Sequence, residues 1–305
     1  MAGRGLTLGE NAMHVGGKSR ERDGAAYDKK NHIKKLLVPL FLFAPAMVGI
    51  DPALAACNNP APTTGQTAVC DTSPPNPDAA GVQAAPGSTG VAVNIGAGAS
   101  VTVQRVVTTT AVSVDTSSQV TNDGSISLTG GGGTGGNRGA AIVGMGNNNI
   151  LTSNGSISTT GAFNDGMAAN GSGNTLTNNG TITTAGPNAY GMSAAWGQTN
   201  TGQANNTLTN NGAVTTNGSN ARAVSILGQN GVVVNTKTLT TNGSSSTVVY
   251  MQGNNDRLTN SGIIHATGAG SEGVFSTPSD QALQPPSRIL PAGKSSAIRD
   301  RRSAH

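Results

Sequence analysis

The segment Leu176-Thr-Asn-Asn-Gly-Thr-Ile182 recurs along the chain and decides the fold. Five further copies align with it without gaps, and they begin at Val120, Leu151, Leu208, Val233 and Leu258. The glycine of each copy serves as a reference position, at residues 124, 155, 180, 212 and 262, with Lys237 in its place in one degenerate copy. The spacings are 31, 25, 32, 25 and 25 residues, so the base period is 25. An internal repeat of this length is typical of solenoids.

Three columns of aliphatic or Met side chains run through the copies at fixed distances from the reference position. The first column lies four residues before the reference position and contains Val120, Leu151, Leu176, Leu208, Val233 and Leu258. The second lies two residues after it and contains Ile126, Ile157, Ile182, Val214, Leu239 and Ile264. The third lies twelve residues after it and contains Met167, Met192, Val224, Val249 and Val274, and Ile142 joins them once the six extra residues of its copy are discounted. Ser, Thr and Asn flank these columns, and an alternation with period two is the pattern of strands. We therefore predict an all-β fold, a right-handed parallel β-helix of about six coils, each of about 25 residues and stacked about 4.8 Å apart.

A column of asparagines lies two residues before the reference position. Its members are Asn122, Asn178, Asn210, Asn235 and Asn260, with Ser153 as the exception. Stacked asparagines can hydrogen-bond side chain to side chain along a pile of strands. Asn-Gly is also a favourable turn pair in its own right. Both interpretations place a bend of the chain here, and the first predicts a polar ladder through the bends.

The two longer copies contain inserts at 130–136 and 197–204. Both are predicted to be loops extended at a turn, and loops of this kind often carry contacts with partners. Alternating Val residues at 91–95, 101–103 and 112–114 predict one or two irregular first coils or a cap.

The N-terminal 55 residues are predicted to be a leader and signal peptide. A basic run at 29–35 precedes an apolar stretch at 36–50, and small residues follow it. This order is typical of a secretory signal, and the best cleavage site lies between Ala55 and Ala56. We therefore expect export by the Sec pathway.

The remaining chain divides into three predicted parts: a Pro/Gly-rich, Cys-containing leader at 56–90, the β-helix at 91–275 and a disordered tail at 276–305. Prolines in the tail are expected to prevent regular strands.

Cys57 and Cys70 are the only cysteines, and both follow the predicted cleavage site. An even count in an oxidising compartment predicts one disulfide between them. In the alternative interpretation, Leu54-Ala-Ala-Cys57 is a lipoprotein cleavage box and Cys57 becomes a lipidated N-terminus.

Composition and charge limit the possible functions. Only 10% of the residues are charged and 3% are aromatic, against 44 glycines, so a conventional core of large side chains is excluded. The net charge of +4 resides at the two ends, because residues 56–277 contain five basic and seven acidic residues, a balance of −2. Nucleic-acid binding requires a clustered basic face, usually with aromatics. The sequence of the body shows neither, and we expect no nucleic-acid partner.

The signal peptide, the early cysteine pair and the Leu-Thr-Asn-Asn-Gly-x-Ile repeats together resemble autotransporter passenger domains, the surface-displayed β-helices of Gram-negative bacteria. The resemblance covers about residues 36–275. It implies presentation at the cell surface or outer membrane, or secretion, and adhesion to a host or neighbouring cell. Autotransporters end in a translocator barrel, which the sequence lacks after its repeats. Attachment to the outer membrane then depends on a barrel supplied elsewhere, and a truncated product is expected to stay in the periplasm.

No catalytic, cofactor-binding or metal site is predicted. The spacing of Gly130, Gly132 and Gly135 resembles a dinucleotide-binding motif but lacks its strand–helix context. The acidic residues of the repeats occupy unlike positions. We expect a structural or adhesive surface module without catalysis. The alternatives are a truncated gene remnant without function and a polysaccharide-acting β-helix enzyme.

Overall fold

The computed structural model describes residues 57–105, 110–131, 138–194 and 202–276, and the backbone of 281–284, 288–290 and 299–300. All regular structure in these ranges is β-strand. None of the described residues belongs to a helix with the length and apolarity needed to span a membrane. The predicted signal peptide and its cleavage site at Ala55 and Ala56 lie outside these ranges.

The chain winds through eight coils and begins a ninth. The strands are, coil by coil, β1 Thr67–Cys70 and β2 Val82–Gln83; β3 Ala92–Ile95, β4 Ser100–Gln104 and β5 Val112–Val114; β6 Gln119–Asn122, β7 Ser125–Thr129 and β8 Gly139–Gly144; β9 Ile150–Ser153, β10 Ser156–Thr159 and β11 Asn164–Ala169; β12 Thr175–Asn178, β13 Thr181–Thr184 and β14 Tyr190–Ala194; β15 Thr207–Asn210, β16 Ala213–Thr216 and β17 Arg222–Gln229; β18 Val232–Asn235, β19 Thr238–Thr241 and β20 Thr247–Asn254; β21 Arg257–Asn260, β22 Ile263–Ala266 and β23 Glu272–Ser276; and β24 Gln281–Gln284, β25 Arg288–Leu290 and β26 Arg299–Asp300.

Strands of successive coils pair in parallel and form three sheets. Sheet A contains β1, β3, β6, β9, β12, β15, β18, β21 and β24; sheet B contains β4, β7, β10, β13, β16, β19, β22 and β25; sheet C contains β2, β5, β8, β11, β14, β17, β20, β23 and β26. Each interior strand pairs with the strand one coil before it and the strand one coil after it. The predicted parallel β-helix is confirmed.

The three predicted apolar columns form the core, one column in each sheet. In sheet B, Ile157 pairs in register with Ile182, which pairs with Val214, and in sheet C Met167 pairs with Met192. All five side chains are buried. Full burial of a side chain of this size contributes about 1.5–3 kcal/mol. The fold is therefore stabilised by thin apolar layers that each coil adds to its neighbours, with backbone pairing between them.

The β-helix begins before the predicted boundary at residue 91. Strand β1 pairs with β3 and β2 pairs with β5, so residues 57–90 already form a first coil. The sheet B column is interrupted here because Asp78 stands at its position, bridged to Val101, whereas Ala68 and Val82 continue the other two columns. This buried carboxylate accepts hydrogen bonds from the backbone N–H groups of Cys57, Ala80 and Gly81.

The segment 276–305, predicted to be disordered, contains three strands that extend the sheets. Strand β24 pairs with β21, β25 with β22 and β26 with β23, so these three short stretches extend the sheets. A terminal coil without a partner leaves a row of unpaired backbone groups at the edge of each sheet, and short segments of almost any composition can pair with them.

Candidate functional site

The predicted disulfide between Cys57 and Cys70 is present, and both residues are buried. Cys70 occupies the same column as Asn122, through Ile95. The chain at Cys57 runs antiparallel to β1 and covers the outer edge of sheet A. The thiol that lipidation of Cys57 would need is engaged in this bond. The pair therefore closes the first end of the β-helix, and it takes a structural position.

The predicted asparagine ladder is present through four consecutive coils. The Nδ2 of Asn178 donates to the Oδ1 of Asn210 at 2.8 Å, and Asn210 donates in the same way to Asn235 at 2.8 Å. Asn235 donates to Asn260 at 2.6 Å. All four side chains are buried. The ladder satisfies polar groups that the bend between sheets A and B takes out of water.

The ladder is interrupted at Ser153. Asn122 donates to the Oγ of Ser153 at 3.0 Å, but the shorter serine side chain does not continue the chain of bonds to the next coil. The Oδ1 of Asn178 consequently has no hydrogen-bond partner among the described residues. The column is thus divided into two separate hydrogen-bonded parts.

The reference glycines are required by the close stacking of coils. A Cβ placed on Gly155 would collide with the carbonyl oxygen of Gly124, and one on Gly180 with that of Gly155. Neither Gly155 nor Gly180 has a positive φ. The Asn-Gly pair is therefore not used here for a left-handed turn.

A second buried ladder follows the bend between sheets C and A. The Oδ1 of Asn149 accepts the backbone N–H of Ser118 at 2.9 Å, Asn174 accepts that of Asn149 at 2.8 Å, and Asn206 accepts that of Asn174 at 2.9 Å. These residues lie six positions before the reference position, so the repeat alignment contains a signal for them that sequence analysis missed. Both ladders hold bends, and neither exposes groups for chemistry.

The outer side of sheet C brings together side chains that are far apart in the sequence. All four Phe, Tyr or Trp rings of the described residues lie there, interleaved with two arginines. In order of contact the members are Phe163, Arg138, Tyr190, Arg222, Tyr250 and Phe275, and we call this set the ring–arginine stack. In a chain with 3% aromatic residues, such a cluster is the most distinctive feature of the surface.

The distances in the ring–arginine stack are those of cation–π and aromatic contacts. The guanidinium carbon of Arg138 lies 5.6 Å from the ring centroid of Phe163 and 3.9 Å from that of Tyr190. That of Arg222 lies 5.0 Å from Tyr190 and 3.4 Å from Tyr250. The rings of Tyr250 and Phe275 are 4.7 Å apart and inclined by 7°.

Strand register explains two of the contacts in the stack. Tyr190 of β14 pairs with Arg222 of β17, and Tyr250 of β20 pairs with Phe275 of β23. Paired strands lie about 4.8 Å apart, which is close to the separation at which flat groups stack. The β-helix therefore converts a column of sequence positions into a column of stacked side chains.

Arg138 is neutralised within the protein. Its Nε and Nη2 donate to the two carboxylate oxygens of Asp165 at 3.0 and 2.5 Å, and Nη2 also donates to the carbonyl oxygen of Asn188 at 2.8 Å. Burial is the largest single influence and disfavours the charged guanidinium, but the attraction and hydrogen bonds of Asp165 and Tyr190 together exceed it and raise the pKa of Arg138. Asp165, which is fully buried, also accepts the backbone N–H of Tyr190 at 2.7 Å. This ion pair positions the first half of the stack.

Arg222 has a different environment. Its Nη1 donates to the Oγ of Ser225 at 3.0 Å, and no carboxylate of the described residues lies within ion-pair distance. Burial lowers the pKa of Arg222, and the neighbouring Tyr190 and Tyr250 oppose this effect. An arginine side chain stays protonated in proteins even so. The stack therefore carries one positive charge that these residues do not neutralise.

Sequence analysis missed the ring–arginine stack. It found no basic residues clustered with aromatics in the body, and the folded chain corrects this finding. Tyr190 and Arg222 both lie ten residues after their reference positions, and Tyr250 and Phe275 both lie thirteen after theirs. The sequence therefore contains these residues in two outward-facing columns of the repeat. Each column contains residues of different types, so neither forms a recognisable pattern.

The predicted contact loops are described only in part. Of the inserts at 130–136 and 197–204, only 130–131 and 202–204 lie within the described residues. The carbonyl oxygen of Gly130 accepts a hydrogen bond from Asn164 at 2.7 Å. Across the described ranges, no three His, Cys, Asp or Glu side chains lie close enough together to hold a metal ion.

No family model matches the chain, and no curated protein or solved structure does so either.

Proposed function

We propose that the chain is an exported, autotransporter-like passenger segment that acts as a structural and adhesive surface module, without catalysis. The observation that carries this proposal is the ring–arginine stack on a solenoid. Aromatic and arginine side chains are the residues most enriched where proteins contact partners. Here all four aromatic rings of the described residues lie on one face, together with two arginines.

Rigidity supports the same function. Three sheets and two buried ladders hold the stack, so its side chains need little ordering when a partner arrives. The five rows of coils that carry it, from Phe163 to Phe275, extend over about 19 Å at about 4.8 Å per coil. An extended row of contacts suits a polymer or a cell surface better than a small molecule.

The proposed location is outside the cytoplasm. The signal sequence ending at Ala55 and the disulfide between Cys57 and Cys70 both favour export, because structural disulfides persist in oxidising compartments. The cell surface, the outer membrane or the medium is the proposed destination, and the periplasm is the destination of a truncated product. The proposed partner is a host or neighbouring cell surface.

The first experiment follows export. The full chain, tagged at its C-terminus, is produced in a Gram-negative host, fractionated and sequenced at its N-terminus. We expect the tag outside the cytoplasm and a mature N-terminus at Ala56. An uncleaved chain that stays in the cytoplasm would refute the proposal, and a lipid adduct at Cys57 would replace the predicted cleavage with the lipoprotein alternative.

The second experiment measures adhesion of producing cells to one another and to host-cell layers. Tyr250→Ala removes one half-buried ring of the stack and should lower adhesion several-fold. Ile150→Ala is the matched control, because it removes an exposed apolar side chain from sheet A. Equal adhesion of cells producing the unaltered chain, either variant or no chain would contradict an adhesive function.

A further inference from the structure

The exposed part of the ring–arginine stack is its margin rather than its ring faces. Neighbours about 3.4–5.6 Å away cover the faces of the inner rings, yet the aromatic side chains are only half-buried. What remains for a partner are ring edges and those in-plane N–H groups of Arg222 that Ser225 and Tyr250 do not engage. The edge of an aromatic ring carries positive partial charge. A guanidinium also directs its donors outward in its own plane.

This margin therefore favours an anionic partner with many acceptor oxygens. One Arg222 N–H already bonds to Ser225 and Tyr250 also hydrogen-bonds to the guanidinium, which leaves part of the five-donor planar fork for a partner. A carboxylate is the anion whose two oxygens match that fork bidentately. Arg138 does not offer the same contact, because Asp165 already occupies its fork.

The charge of the protein around the stack indicates how densely charged the partner is. Residues 56–277 contain five basic and seven acidic residues, a balance of −2, so Arg222 lies in a body that is not basic overall. A nucleic acid, with one phosphate per nucleotide, is held by several basic contacts in a row. A polymer with sparser charge and many hydroxyl groups matches the single guanidinium of Arg222, which has no carboxylate partner among the described residues and lies near the exposed side chain of Gln252.

We propose that the ring–arginine stack binds an acidic polysaccharide laid along the coils, with a uronate carboxylate paired to the guanidinium of Arg222. The polymer runs parallel to the solenoid axis, so that consecutive sugar rings meet consecutive rows of the stack. The sugar hydroxyl groups accept from, and donate to, the polar side chains beside it. This inference rests on the proposed function as a binding module and specifies its ligand class.

The experiment uses the purified full chain and affinity electrophoresis in gels that contain polygalacturonate. Carboxyl-reduced polygalacturonate is the matched neutral polymer, and single-stranded DNA represents a phosphate polymer. We expect retardation by polygalacturonate and its loss on carboxyl reduction. Arg222→Gln should weaken binding by roughly tenfold or more, the effect of losing a bidentate charge-assisted pair. Arg222→Lys, which keeps the charge without the fork, should restore only part of it.

Arg257→Gln is the control variant, because it removes an equal charge from the exposed outer side of sheet A and should bind as the unaltered chain does. Circular dichroism and the melting temperature establish that each variant is folded. If Arg222→Gln does not fold, carboxyl reduction tests the same contact from the ligand side. Equal binding of the acidic and reduced polymers, or stronger binding of single-stranded DNA, would overturn the inference.

The two proposals fail separately. Polymer binding by the purified chain without adhesion of producing cells leaves the ligand class standing and removes the adhesive function. Adhesion that depends on Tyr250 but resists added polygalacturonate, from a chain that shows no retardation, removes the ligand class alone.

Discussion

Replacing Ser153 by asparagine should join the two halves of the buried ladder and stabilise the protein. Asn122 now donates to the Oγ of Ser153, and the Oδ1 of Asn178 in the next coil is buried without a partner among the described residues. An asparagine at 153 places an amide oxygen where Asn122 donates and an amide nitrogen where Asn178 accepts. The register supports this, because Asn122, Ser153 and Asn178 are directly paired residues of neighbouring strands.

The expected gain comes from one new hydrogen bond and one relieved acceptor. A typical intramolecular hydrogen bond contributes about 0.5–1.5 kcal/mol net, and a buried group without a partner costs about 1–3 kcal/mol. The larger side chain loses rotamer freedom and must fit a packed bend, which opposes the gain. We expect the free energy of unfolding to rise by about 1 kcal/mol, which is a rise in melting temperature of about 2–4 °C for a domain of this size.

The assay is urea unfolding followed by circular dichroism, with the slope m compared between variants to establish that the unfolding transition is unchanged in kind. Asn210→Ser copies the interruption into the continuous half of the ladder and should cost about 1–2 kcal/mol. Ser158→Asn makes the same chemical change at an exposed position of β10 and should stay within about 0.5 kcal/mol of the unaltered chain. A destabilised Ser153→Asn, or an Asn210→Ser as stable as the unaltered chain, would show that bonds along the ladder do not stabilise the fold.

Three further perturbations test other parts of the structure. Gly180→Ala should lower the free energy of unfolding in urea by about 1–3 kcal/mol, because its Cβ meets the backbone of the preceding coil. Lys237→Ala at the equivalent position should leave that free energy nearly unchanged, and equal effects of the two substitutions would contradict the stacking argument. Cys70→Ser should destabilise the first coil by about 3 kcal/mol, because the disulfide no longer closes a short loop. The expected readout is faster amide hydrogen exchange at residues 67–70 while the later coils stay protected. Unchanged exchange at residues 67–70 would contradict this prediction. Asp165→Asn leaves the buried guanidinium of Arg138 without its counter-charge and should lower the free energy of unfolding by about 3–5 kcal/mol, and a melting temperature equal to that of the unaltered chain would refute this reasoning.

The limits of the sequence-based boundaries have a physical cause. Repeat columns detect a coil only where the same kind of side chain is buried at the same position. In the first coil Asp78 stands where other coils have an aliphatic residue, and three backbone N–H donors offset the cost of burying its carboxylate. The repeat columns therefore do not detect this coil. The tail strands escape it because pairing at a sheet edge depends on backbone groups, which every residue except proline provides in full.

The amino-acid sequence by itself determined the coil, its period and its inward side chains. A column such as Ile157, Ile182 and Val214 can be buried in each copy only when the coils lie over one another, so the repeat implies the stacking. The cysteine pair and the asparagine ladder follow from the same alignment. The ring–arginine stack was decided by tertiary structure alone: Arg138 and Tyr190 are 52 residues apart, and an arginine from one coil reaches the ring of another. Inward positions must be apolar in every copy because they are buried in the core, and this makes them alike. Outward positions have no such constraint, so contacts between their unlike residues become apparent only when neighbouring coils are stacked.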